Sequence, residues 1–259
     1  MTETRTWERA ALVPASRGGR PRPELATLRR GVPDIPQLFT YMRDAELRFD
    51  TLRMRIEERT LTARGGNLVV TQVLLRHPGH ARVTTSEPDR GIAGNFEVWI
   101  SDGETVRTYS APNRLGTERP VRHMVRGLDK DFPGMSRVYW PLTPLPMETL
   151  PDLFVHPAGY CQNVLSTGRC HIPGTVEALG REALTLECDH PRTIEVSADR
   201  PDFRISIVVD RATGLIVRLI ESIGGEVTRD AEVVDLAQDA PLPPNAFDFS
   251  FPSDTTMLF

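Results

Sequence analysis

Apolar and polar positions alternate along much of this chain, and the period changes at identifiable places. Over 35–48 the apolar residues Ile35, Leu38, Phe39, Met42, Ala45 and Leu47 recur at helical spacing, which predicts an amphipathic helix. Asp34 is placed to cap it, with Gln37 completing a capping box. The period then drops to two. Leu52, Met54 and Ile56 alternate with Arg53, Arg55 and Glu57, which predicts a strand with one apolar and one charged face. Further strands are expected at Leu68–Leu75, after a turn at Gly65-Gly66-Asn67, and at Ala81–Thr85, after His77-Pro78-Gly79-His80.

The firmest local signal is the stretch from Asn95 to Pro112. Phe96, Val98 and Ile100 alternate with Glu97 and Trp99, and Asp102-Gly103 supplies a hairpin turn before Val106 and Tyr109 return. An isolated hairpin is marginal in water, so the rest of the chain must provide its sheet. The C-terminal portion does so. Gly168–Pro173 and Ala183–Cys188 pair around Gly180, and Arg192–Val196 continues the sheet. Phe203, Ile205, Ile207 and Val209 form the next strand, and the Asp210–Gly214 turn leads into Leu215–Ser222. Gly224-Gly225 turns the chain into Glu226–Leu236, and Phe247–Phe251 is expected as a closing strand. The total is about ten antiparallel, sequentially connected strands.

Between Arg119 and Ser166 this regularity stops. Repeated prolines preclude a long helix, yet Trp140, Leu150, Leu153 and Phe154 are among many apolar residues there. Such a segment must lie over something apolar, so 119–166 is read as a lid, with short helices at Glu148–Val155 and Ala158–Leu165. Residues 1–33 carry seven arginines against three glutamates, with several prolines and glycines, and are read as a flexible leader. Residues 34–259 then form one domain.

Composition narrows the function classes. The 259 residues are 39% hydrophobic and 25% charged, enough to build a core without metal or disulfide. A net charge of −4 gives no reason to expect nucleic acid. No apolar run is long enough to span a membrane, and no secretory h-region is present, so the chain reads as cytoplasmic. No HExxH, paired CxxC, nucleophile elbow or phosphate-binding loop occurs, so no metal, cofactor or catalytic site is expected. Of the three cysteines, Cys170 and Cys188 fall opposite each other if Ala178-Leu179-Gly180 is the turn. They are either a disulfide that forms on oxidation or two buried thiols, and Cys161 is a buried apolar residue.

Several features in this order resemble the LolA/LolB-like lipoprotein-carrier superfamily. They are the helix-then-strands opening, Ser101-Asp102-Gly103-Glu104-Thr105 with Tyr109 and Pro112, the Asp210–Gly214 turn, and the ending Ala246 to Pro252. The resemblance covers about residues 35–255. It implies an incomplete antiparallel β-barrel closed by helices around an apolar cavity for acyl chains, in a protein of the cell envelope. It also implies that Arg76, at the place of the family's Arg-Pro, latches the lid, although here the run reads Arg76-His77-Pro78. On this reading the chain binds a hydrophobic, lipid or lipoprotein acyl ligand without catalysis. Leu52, Met54, Ile56, Val73, Phe96, Val98, Ile205 and Leu219 form the inner wall, and Trp140, Leu150, Leu153 and Phe154 form the lid. The competing interpretation of the same residues is a filled core. The alternative function is a regulatory module of the same fold, whose basic leader docks a protein partner.

Overall fold

The computed structural model describes residues 25–62, 65–88, 95–121, 141–147, 149–192 and 200–258. Most of the leader, the lid residues 122–140 (which include Trp140) and 148, and most of the expected strand Arg192–Val196 lie outside the described residues.

The chain enters through α1 (Ile35–Arg43) and a 3-10 turn at Ala45–Arg48. The helix starts where the sequence places it: the Asp34 carboxylate accepts from the Gln37 amide at 2.8 Å, and the Gln37 side chain accepts in return from Asp34 N–H. Each contact satisfies a backbone donor that an α-helix leaves open at its start. Before it, residues 25–33 lie against the body instead of hanging free. Ala26 N–H donates to Asp44 Oδ2 at 3.1 Å, Arg48 donates to Ala26 O at 2.7 Å, and Arg211 donates to Arg29 O.

Eleven strands then follow in chain order, and a twelfth ends the described chain. They are β1 (Thr51–Thr62), β2 (Gly65–Arg76), β3 (His80–Ser86), β4 (Phe96–Asp102), β5 (Thr105–Ser110) and β6 (Leu115–Pro120). After the lid helices α2 (Leu150–Val155) and α3 (Pro157–Asn163) come β7 (Arg169–Ala178), β8 (Arg181–Asp189), β9 (Phe203–Asp210), β10 (Ile216–Ile223) and β11 (Glu226–Gln238). The last is β12 (Thr256–Leu258). All twelve join one open sheet in the order β12-β6-β5-β4-β3-β2-β1-β11-β10-β9-β8-β7. Every pairing is antiparallel except β12 with β6. The central seam is β1 between β2 and β11, and the free edges are β7 and β12.

Two expectations need correction. Gly66 and Asn67 pair with Leu61 and Thr60, so Gly65-Gly66-Asn67 begins β2 and the turn precedes it. The segment Phe247–Phe251 is not a strand. Turn hydrogen bonds from Ala246 N to Pro243 O and from Asp248 N to Asn245 O bend the chain into and through its start. It lies across the back of β3–β6 as an aromatic strap, with Phe249 6.1 Å from Tyr109 and 5.1 Å from Phe251. The described residues form twelve strands, in keeping with the expected incomplete barrel of about ten; β6 and the three-residue β12 carry no strong sequence pattern.

Candidate functional site

Register decides which side chains face the helices. In an antiparallel pair, directly opposed residues share a face. The set Ile56, Thr71 and Thr85 is one such row, and Ala81, Ser101 and Val106 is another. This face is concave, and it divides into two halves.

The first half is filled. Leu52, Met54, Ile56 and Val73 of β1 and β2, with Ile205 and Leu219 of β9 and β10, pack into one cluster with Leu38 and Met42 of α1 and Phe154 of α2. None of these nine is more than 1% exposed. Burying each such side chain is worth about 1.5–3 kcal/mol, so this plug anchors the fold.

The second half is hollow. Beyond the plug, the concave faces of β1–β6 and the lid residues Pro146, Thr149, Leu150 and Pro151 border a cleft of about 630 Å³. Its apolar patches are Val69, Val83, Trp99, Leu115, Leu150 and Leu258. Polar groups lie between them: the hydroxyls of Thr71, Thr85, Thr108 and Thr117, and the carboxylates of Glu58 and Glu97. The volume is that of an ordinary small-molecule site.

A buried polar buckle holds the lid. Thr143, fully buried, accepts from Gly79 N–H at 2.9 Å, and its oxygen lies 2.8 Å from His77 Nδ1. The hydroxyl has one hydrogen and two lone pairs, so it can hold the Gly79 amide and either tautomer of His77 together. The Gly79 amide also points at Leu142 O, at 3.1 Å. Next to this, Glu46 Oε2 accepts from Leu142 N–H at 3.0 Å and meets His156 Nε2 at 3.3 Å. His156 Nδ1 lies 2.9 Å from Asp152 Oδ1. Glu46 therefore ties both the entry to the lid and the junction of its two helices to the turn after α1.

The two histidines are driven in opposite directions. Burial pushes the His77 pKa down to about 4, against the pull of Glu46 and with help from His156. Burial also opposes charge on His156, but Glu46 and the hydrogen bonds to Asp152 and Glu46 outweigh it and hold the pKa at about 9. At neutral pH the buckle therefore holds a neutral His77 and a cationic His156 between two carboxylates.

No family model matches the chain, and no curated protein matches it. Solved structures do. An uncharacterized conserved protein from Thermus thermophilus aligns with a TM-score of 0.50 at 11% identity, over 87% of this chain and 99% of that one. An open antiparallel sheet curled around helices, entered through an N-terminal helix and crossed by a lid, is the architecture that the sequence resemblance implied. The fold is LolA/LolB-like. A LolA superfamily protein from Nitrosomonas europaea aligns at 11% identity and TM-score 0.35, over 84% of this chain and 99% of that one. The Pseudomonas aeruginosa MucA/MucB complex aligns at 14% identity and TM-score 0.49, over 84% of this chain; the chain spans 62% of the length of its match there. At such identities the likeness concerns the architecture alone.

Within this LolA/LolB-like half-barrel the expected site residues are redistributed. Leu52, Met54, Ile56, Val73, Phe154, Ile205 and Leu219 lie in the buried plug, and Leu153 packs against it. Phe96 and Val98 are on the other face. Phe96 lies 6.0 Å from Tyr109, under the aromatic strap, and Val98 has the same parity. Val98 borders the cleft through its backbone, while Trp99 carries its ring into it. Among the described lid residues expected at the site, Leu150 lines the cleft. Among the described residues Arg76 meets the Phe247 ring, 5.1 Å from its guanidinium on the convex side, and not the lid. The contact from this turn to the described part of the lid is made by the next residue, His77.

The cysteines lie at the end of the lid. Cys170 and Cys188 are directly opposed in β7 and β8. The turn is shorter than expected, Leu179-Gly180 with Ala178 opposite Arg181, and a bulge between His171 and Gly174 restores the pairing. Both thiols donate to the Leu165 carbonyl, at 3.1 and 3.3 Å. The thiol of Cys188 pulls the Cys170 pKa down, while its own is raised. Cys161, in α3, is fully buried against Met42 Sδ at 3.8 Å.

Proposed function

We propose that this chain is a non-enzymatic binding protein that holds a hydrophobic, acyl-bearing ligand in the cleft between β1–β6 and the lid. The observation that carries the reading is the contrast between the two halves of one concave face. One half is closed by helices to zero exposure, and the other keeps about 630 Å³ with apolar walls at Val69, Val83, Trp99 and Leu150. Each methylene buried there contributes about 0.8 kcal/mol, so a short acyl segment supplies several kcal/mol before ordering costs. A lid fastened by a handful of hydrogen bonds instead of an apolar seam suits uptake and release. The LolA/LolB-like fold favours a place in the cell envelope over the cytoplasmic reading of the sequence. Among the described residues no helix is long and apolar enough to cross a membrane.

Native mass spectrometry of gently purified protein, followed by lipid extraction, tests the proposal. A retained mass that extracts into organic solvent supports it. Protein that is ligand-free as isolated and takes up no offered amphiphile overturns it. The regulatory alternative, docking of a protein partner through the leader, is separated by deleting residues 1–24. Ligand uptake survives that deletion under the carrier reading.

A further inference from the structure

We infer, resting on the cleft as the ligand site, that it selects amphiphiles with an uncharged, hydroxyl- or ester-bearing head and discriminates against anionic ones. Among the described residues, the charged side chains that line it are Glu58, Glu97 and Arg229. The arginine is already neutralised. Its Nε lies 2.6 Å from Glu58 Oε1, and its Nη1 lies 3.9 Å from Glu221 Oε1. Glu97 stands apart on β4, so the described lining carries two carboxylates and one guanidinium that is already paired. A carboxylate or phosphate head entering here sheds water against carboxylates and meets, among the described residues, only a cation that is already paired.

The same wall suits a neutral head. Thr71 and Thr85 face each other across β2 and β3 with oxygens 3.3 Å apart, and Thr108 and Thr117 across β5 and β6 at 2.6 Å. One hydrogen serves each bond, so each pair keeps a second O–H and spare lone pairs. Trp99 stands between the two pairs, directly opposite Val83 on one side and Thr108 on the other. A flat apolar ring flanked by hydroxyls matches a glyceryl or glycosyl head and the methylenes next to it. The polar positions of this wall thus recognise hydroxyls and esters, and the charged ones repel anions.

Titration with monolauroylglycerol and with laurate, matched in chain and both below their micelle thresholds at a pH where laurate is ionised, tests the inference. The neutral ligand is expected to bind roughly tenfold tighter or more at low ionic strength. Glu58→Gln, which removes the shorter of the two ion pairs of Arg229, and Glu97→Gln, at an exposed position, each narrow that gap. Laurate binding as tightly as monolauroylglycerol to the unmodified chain overturns the inference and leaves the carrier reading standing. A gap that neither variant changes also overturns it. Binding of neither ligand overturns both.

Discussion

His77 Nδ1 lies 2.8 Å from the Thr143 hydroxyl, and this contact, 66 residues apart in sequence, fastens the lid to the turn between β2 and β3. The hydroxyl also holds the Gly79 amide. Thr143→Val keeps the shape and removes both bonds. Leaving buried polar groups without partners costs about 1–3 kcal/mol. The expected result is faster amide exchange across 141–165, with the β1–β11 seam still protected. Uniform loss of protection across the sheet would show that Thr143 supports the whole fold and not the lid in particular.

The buckle also sets a pH window. His77 is held at about 4 in the folded chain, below its unfolded value of about 6.5, so its contribution is intact above pH 6.5 and is lost as pH falls toward 4. His156 is raised to about 9, so its contribution is full below pH 6.5 and is lost as pH rises through 9. Lid protection is therefore expected to peak near pH 6.5 and fall on both sides, by at most about 1.4 kcal/mol per pH unit for each histidine. Amide exchange of α2 and α3, corrected for intrinsic rates, measures it. His156→Gln should abolish the alkaline decline and keep the acid one.

How much of this was legible beforehand follows from where each signal resides. The Asp34 capping box and the Asp102-Gly103 hairpin were readable because the partners are close in sequence. The faces of β4 were not. Phe96, Val98 and Ile100 are as apolar as an inner wall should be, and only the strap from Ala246 to Phe251, far along the chain, reveals that they face outward. Trp99 and Glu97 then fall in the cleft, by parity alone. The core strands Leu52–Ile56 and Phe203–Val209 were correctly read as apolar on one face. Whether helix or ligand covers that face is a question of volume, which periodicity does not encode. The shift from Arg76 to His77 has the same character: adjacent residues differ only in which side of the sheet they reach.

The strap itself is a prediction. A Cβ on Gly116 would lie 2.7 Å from Phe251 Cε1 and 2.8 Å from Thr255 Cγ2. Gly116→Val should displace the segment that ends in β12 and cost about 1–3 kcal/mol, as overpacking does. Limited proteolysis should then cut near Phe247–Phe251, where the unmodified chain resists.

Cys170 and Cys188 should oxidise as a pair. Their strands oppose them, and both thiols share the Leu165 carbonyl. Exchange with glutathione disulfide transfers the bond and releases two equivalents of reduced glutathione. The expected product keeps one of three thiols titratable after unfolding, that of Cys161. The closed loop of fewer than twenty residues should raise stability by about 3 kcal/mol. Three free thiols after prolonged exposure would show that the strand geometry does not permit the bond.

The most direct measurement makes Trp99 the sole reporter, by replacing Trp7 and Trp140 with phenylalanine and titrating the protein with monolauroylglycerol. Trp99 stands inside the cleft, between Val83 and Thr108. A ligand in that space must change its surroundings, so the account predicts a saturable blue shift below the micelle threshold, lost when Thr85→Phe fills the same space. A folded protein whose Trp99 emission stays unchanged throughout the titration would contradict the claim that this half of the sheet was left hollow for a ligand.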